Sequence, residues 1–223
     1  MFKAIIIGGT GATGKQLLNQ LIRNQNCDLV TSIGRRPVLD AAKNKKLVDI
    51  VVESLFKLRS TEKYWKDNDV FFNCIGTTRQ RAGGAKEFIN IESGISNEAA
   101  KMAADAKIPH ASLISAKGAN HKIWAKDWIQ PLLYMKTIGQ KEQTIISNFS
   151  FNSVSIFKPG MLIRLQGKES WFENFSELKG FGLRVDTLAS AMIHDAERVK
   201  LGLAVKSPQY FIGNNHIKSS LEL

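Results

Sequence analysis

Short apolar runs alternate with longer amphipathic stretches from the first residues of the chain onward. Ala4-Ile5-Ile6-Ile7 is a continuous apolar run of the kind a parallel sheet buries on both faces. A glycine-rich turn follows. Lys15–Arg23 then carries Leu17, Leu18, Leu21 and Ile22 on one stripe, which predicts an amphipathic helix. Further strands are predicted at Leu29–Ile33, Val48–Val52, Val70–Ile75, Ala111–Ile114 and Ser153–Phe157, with a short one at Tyr210–Ile212. Helices are predicted over Asn97–Ala106, Leu132–Ile146 and Thr187–Val199. Repeated β-α-β units of this kind need a parallel sheet with right-handed crossovers.

The first strand-to-helix turn reads Gly8-Gly9-Thr10-Gly11-Ala12-Thr13-Gly14. Glycines at this spacing are common in turns, so the position is the stronger signal. A strand before and a helix after make a loop whose backbone can approach a pyrophosphate, with helix N–H groups facing the anion. The alternative is a tight turn with no ligand. The end of the second strand decides between cofactors. NAD sites place a carboxylate there for the ribose 2′-hydroxyl, but here Gly34-Arg35-Arg36-Pro37 offers two guanidiniums. These suit a 2′-phosphate through charge-assisted, bidentate bonds, and they point to NADP(H). A solvated basic turn is the alternative. The fold expected is α/β, a Rossmann-type doubly wound parallel sheet with helices on both faces and a short C-terminal extension. The absence of repeats or linkers predicts a single nucleotide-binding domain over residues 1–223.

Composition narrows the partners. Of the 223 residues 43% are hydrophobic and 23% charged, which fits a folded globular chain. No run nears the roughly 18 apolar residues of a membrane span, and a strand candidate at Phe2 leaves no room for a signal peptide. Only Cys27 and Cys74 occur, which fits a reducing compartment; a cytoplasmic location is the expectation. The 4 His form no ligand spacing with them, so no metal site is expected. The net charge of +11 comes from scattered basic residues, which suit phosphate steering more than nucleic-acid binding.

Several motifs occur in one order: the glycine loop, Ile33-Gly34-Arg35-Arg36, Cys74-Ile75-Gly76-Thr77-Thr78-Arg79, Leu113-Ile114-Ser115-Ala116-Lys117-Gly118-Ala119 and Phe157-Lys158-Pro159-Gly160. Together they resemble the atypical short-chain dehydrogenases typified by the human Tat-interacting oxidoreductase and its fungal relatives. The resemblance spans nearly the whole chain and weakens after about Leu165. It implies NADPH in an open cleft at the C-terminal ends of the strands. Gly8, Thr10, Gly11, Ala12, Thr13 and Gly14 would serve the pyrophosphate and adenosine side, and Arg35 and Arg36 the 2′-phosphate. Ile75, Gly76 and Leu162 would line the path to the nicotinamide. Tyr134 would exchange a proton with the substrate oxygen, and Ser115 would hydrogen-bond that oxygen.

The chain departs from the family at two places. The motif Tyr-x-x-x-Lys puts a lysine one turn beyond the tyrosine, to lower its pKa and hold the nicotinamide ribose; here that position is Ile138. Lys136 lies on another helix face, and Lys141, two turns along, would need a reshaped site to help. Relatives commonly carry Ser-Ser where this chain has Ser115-Ala116. Two functions therefore stand: an NADPH-dependent oxidoreductase of an unknown small carbonyl-like substrate, or a weakly active or inactive NADP(H) sensor that binds a regulatory protein partner. The segment Asn120–Pro131 carries Trp124 and Trp128 among basic residues. Packing onto the domain or a lid is expected ahead of a membrane-surface contact.

Overall fold

The computed structural model describes residues 1–38, 44–164, 182–203 and 206–222. Seven strands form one fully parallel sheet: β1 (Phe2–Ile7), β2 (Cys27–Gly34), β3 (Leu47–Val51), β4 (Val70–Asn73), β5 (His110–Ile114), β6 (Ser153–Lys158) and, after a separate short pair, β9 (Gln209–Ile212). Their spatial order is β3-β2-β1-β4-β5-β6-β9. The pair, β7 (Leu162–Ile163) with β8 (Leu183–Arg184), forms its own small parallel ladder. The strand order reverses between β1 and β4, which opens a crevice at the C-terminal ends of those strands.

Continuous apolar runs were the basis for expecting a sheet covered on both faces, and the packing is of that kind. In β1, Ala4 and Ile6 face one cluster with α1 (Ala12–Arg23) and α6 (Val185–Lys200), through Leu17, Leu21, Leu188 and Met192. Ile5 and Ile7 face the other, with Phe71, Trp65 and the alanine stripe Ala99, Ala100 and Ala103 of α4 (Ser96–Asp105). Each buried Ile or Leu contributes roughly 1.5–3 kcal/mol over an exposed one, and β1 supplies three such isoleucines.

At two boundaries that differ from expectation, a local bond explains the difference. The first helix starts at Ala12 rather than Lys15, because the glycine turn winds straight into it through Gly11 N–H to the Gly8 carbonyl at 2.9 Å. β4 ends at Asn73 rather than Ile75. The Asn73 side chain accepts the Ile75 N–H at 3.2 Å, which turns the chain out of the ladder.

Three short elements lie between β4 and α4: α2 (Arg79–Ala82), α3 (Ala85–Ile89) and a π-helical turn, Asn90–Ile95. Thr78 caps α2 by accepting the Arg81 N–H, and Gly83 closes it at φ 87°. The long helix α5 (Gln130–Asn148) and the C-terminal α7 (Asn214–Ser219) complete the fold. Trp124 and Trp128 are 64% and 71% exposed, so packing onto the domain is not what they do. Their segment is tied down through Arg79, which donates to the Asp127 carbonyl at 2.7 Å. Much of the chain just beyond Leu165, where the family resemblance weakens, lies outside the described residues.

Candidate functional site

A cleft of about 520 Å³ opens at the strand-order reversal, beside the C-terminal ends of β1, β2, β4 and β5. Gly8, Thr10, Gly11, Ala12, Thr13, Arg35, Arg36, Ile75, Gly76, Ser115, Tyr134 and Leu162 all border it. Gly14 does not. It sits buried behind the turn, where a Cβ would run into the Gly8 carbonyl oxygen.

Each glycine in the turn answers a different constraint. Gly8 has φ +89°, and a Cβ on it would lie 2.6 Å from the Cys74 carbonyl oxygen. This strand end therefore approaches β4 more closely than a side chain allows. Gly11 is exposed with an ordinary φ of −74° and borders the cleft itself. The helix α1 that follows has neither a side-chain cap nor an acidic residue in its first turn. Its leading N–H groups and its positive dipole end are left to face an anion.

The second strand leads Arg35 and Arg36 out onto the rim, both exposed. Their loop is pinned by Asp49, whose carboxylate accepts the Val38 N–H at 2.9 Å. Among the described residues five cationic side chains border the cleft, Arg35, Arg36, Arg81, Lys141 and Arg164, against one carboxylate, Glu92. Such a lining attracts a polyanion.

The helix α5 brings the other candidates to the far side. Tyr134 is half-buried and its ring stacks on Phe88, centroids 5.9 Å apart. Ile138, one turn on, is buried and apolar. Lys141 follows on the same stripe, because seven residues return to within about 20° of the starting direction. Its Nζ donates to Glu92 Oε2 at 3.0 Å and to the Ile75 carbonyl at 3.3 Å. Glu92 Oε1 accepts the Thr77 N–H at 2.6 Å. Burial, and secondly the Glu92 carboxylate, push the Tyr134 phenol above its ordinary value, with Arg164 pulling weakly the other way. Burial also drives the Cys74 thiol behind the turn up to about 12.

Ser115 is tied inward. Its hydroxyl donates to Glu142 Oε1, whose other oxygen pairs with Lys158 Nζ at 2.8 Å, and Lys158 also donates to the Ala119 carbonyl at 3.0 Å. A carboxylate is acceptor-only, so toward the cleft the serine oxygen is an acceptor. Sequence reasoning missed Glu92, Glu142 and this role of Lys158. The one available signal was Lys141, a cation placed on the stripe that otherwise holds Ile138 and Ile145. Lys117 is exposed and does not border the cleft. Among the described residues no cluster of His, Cys, Asp and Glu could hold a metal ion. No helix of the described residues is long and apolar enough to cross a membrane.

No protein-family model matches the chain. The chain is similar to rat HTATIP2, 30% identical over 185 residues covering 83% of this chain and 72% of that protein. It is also similar to the mitochondrial protein FMP52 of Debaryomyces hansenii, 33% identical over 77% of this chain and 71% of the relative. FMP52 of Meyerozyma guilliermondii is 31% identical over 77% and 70%. Among solved structures, Gre2 of Candida albicans in complex with NADPH superposes with a TM-score of 0.70, at 16% identity, covering 96% of this chain and 78% of that one. The UDP-glucuronic acid 4-epimerase of Bacillus cereus, in complex with NAD, gives 0.68 at 11% identity, covering 99% and 90%. At these identities the two structures speak for the fold alone.

The yeast relatives correct one expectation. They are named as mitochondrial, which overturns the cytoplasmic location. The argument for it rested on two unpaired cysteines, and these fit any reducing compartment.

Proposed function

Because the chain belongs to the atypical short-chain dehydrogenase family that includes HTATIP2 and FMP52, we propose that it is an NADP(H)-dependent oxidoreductase of a small carbonyl-like substrate. In this reading residues 1–223 form one nucleotide-binding domain. The observation that carries it is the shared cleft: an uncapped helix N-terminus, two arginines and a tyrosine open onto one crevice whose described lining carries five cations and one carboxylate. The turn also fits a dinucleotide, since Gly11 borders the cleft as exposed backbone with no side chain on it.

The roles follow from the residues present. The backbone of Thr10 to Thr13 and the start of α1 would hold the pyrophosphate, and Arg35 and Arg36 the 2′-phosphate. NADPH supplies the hydride when bound. Tyr134 holds a proton on its phenol oxygen for the substrate oxygen. Ser115 does not fill the role expected of it, because its one hydroxyl proton is given to Glu142 and none is left for a carbonyl oxygen; in this arrangement it would accept from the hydroxyl of the alcohol instead.

Ile138 favours a second reading. With no cation one turn beyond it, and with its phenol shifted upward, Tyr134 is a poor partner for alcohol oxidation near neutral pH. A protein that binds NADP(H) and signals occupancy to a regulatory partner needs the cofactor half of the cleft alone. Single-turnover oxidation of NADPH with a panel of reactive carbonyls tests both readings in the unmodified protein, Tyr134→Phe and Ile138→Lys. The oxidoreductase reading requires turnover that Tyr134→Phe abolishes and Ile138→Lys raises. Tight NADPH binding with no turnover in any variant favours the sensor.

A further inference from the structure

Lys141 and Glu92 are each 1% exposed, yet both border the cleft. A buried ion pair gains little stability over an apolar pair of similar volume, so its position calls for a reason. Its bonds supply one. Through the Ile75 carbonyl and the Thr77 N–H the pair grips both ends of Ile75-Gly76-Thr77. That turn leaves β4 beside the glycine loop and lines the same cleft. An ammonium has three N–H donors, and the third has no protein partner among the described residues. Among the described residues the other cations of the cleft, Arg35, Arg36, Arg81 and Arg164, are exposed, and Lys141 alone is buried there.

On the NADP(H) reading above, we propose that Lys141 is a positioning residue that anchors the ribose of the nicotinamide half, with Glu92 as its counter-ion. A dinucleotide with its pyrophosphate at the glycine turn spans the strand-order reversal, so its second half belongs on the β4 side. The ribose hydroxyls of that half accept from an ammonium and donate to a carboxylate, and this pair offers both. The pairing also separates two jobs that a single lysine at position 138 would combine. Lys141 keeps the hold on the ribose. Glu92 neutralises its charge, so Tyr134 gains no net cation, which agrees with the upward shift of its phenol.

Binding, without turnover, tests this. Affinities for NADPH and for adenosine 2′,5′-bisphosphate, which carries the 2′-phosphate and lacks the nicotinamide ribose, are measured by calorimetry. Lys141→Met is made together with Glu92→Gln so that no buried charge is orphaned. The double variant should bind NADPH about tenfold more weakly, one charge-assisted hydrogen bond, and the bisphosphate within about twofold of the unmodified protein. Adding Ile138→Lys should restore most of the NADPH affinity, which loss of a mere strut for the 75–77 turn would not allow. An unchanged NADPH affinity in the double variant, an equal loss for both ligands, or no rescue by Ile138→Lys each overturns the anchor. Failure of the unmodified protein to bind either ligand overturns the NADP(H) reading itself, and the anchor with it.

Discussion

Two substitutions in the glycine turn should have opposite effects, because the two residues meet different surroundings. At Gly14 an added Cβ runs into the Gly8 carbonyl oxygen and lies 3.1 Å from the Gly9 Cα, all of it backbone that cannot move aside. Overpacking of that kind costs about 1–3 kcal/mol. In a chain of this length each kcal/mol lowers the melting temperature by about 2–4 °C, so Gly14→Ala should melt roughly 2–12 °C lower. Gly11 is exposed and its φ of −74° suits any residue, but an added Cβ would lie 3.2 Å from the Gly8 oxygen, so that backbone must give by a few tenths of an ångström. Gly11→Val should therefore cost less than Gly14→Ala, up to about 1 kcal/mol or about 2–4 °C in melting temperature. Its methyl groups would stand over the turn and deny a pyrophosphate its backbone N–H bonds. Two bonds to a charged group at about 1.5 kcal/mol each amount to more than a hundredfold in affinity. Scanning fluorimetry and an NADPH titration on both variants read the two effects. A Gly11→Val protein that binds NADPH normally, or a Gly14→Ala protein that melts like the unmodified one, would refute the reasoning.

Other expectations follow from the buried groups. Lys158→Met leaves the Glu142 carboxylate buried and unpaired, which costs about 3–5 kcal/mol; thermal melts should show a large loss that adding Glu142→Gln largely restores. The Tyr134 phenol, raised by burial and then by Glu92, stays protonated through neutral pH. Carbonyl reduction, which uses the phenol, should thus be flat with pH across the neutral range, whereas alcohol oxidation, which uses the phenolate, should still be climbing beyond the ordinary range of a tyrosine phenol. A phenolate titration in the ultraviolet, with Tyr134→Phe as reference, should show the transition moving down in Glu92→Gln. Burial holds the Cys27 and Cys74 thiols at about 11 and about 12, so a thiol reagent at mildly alkaline pH should find neither in the native protein and both after denaturation.

Much of the fold was legible because its signals are local. Ile5-Ile6-Ile7 announces a strand buried on both faces, and the turn after it places the crevice without reference to any distant residue. Arg35 and Arg36 were readable for the same reason: the end of β2 is fixed by the run that precedes it. The floor of the site was not legible. Glu92 and Lys141 lie 49 residues apart in sequence and meet only because the π-helical turn and α5 converge under β4. No periodicity carries that pairing. Glu142 and Lys158 are an adjacent-element pair, yet on sequence alone each reads as an ordinary solvated charge. The tryptophans misled in the other direction, since large apolar side chains are usually buried and these two are exposed.

The central claim is that the cleft is built for a nicotinamide dinucleotide carrying a 2′-phosphate. Parallel titrations of the unmodified protein with NADPH and NADH test it most directly, repeated on Arg35→Ala/Arg36→Ala. NADPH should bind at least about tenfold more tightly, equivalent to ~1.4 kcal/mol from the two guanidiniums, and the double substitution should erase most of that difference. Equal affinity for the two cofactors in the unmodified protein, or a preference that survives the loss of both arginines, would contradict it.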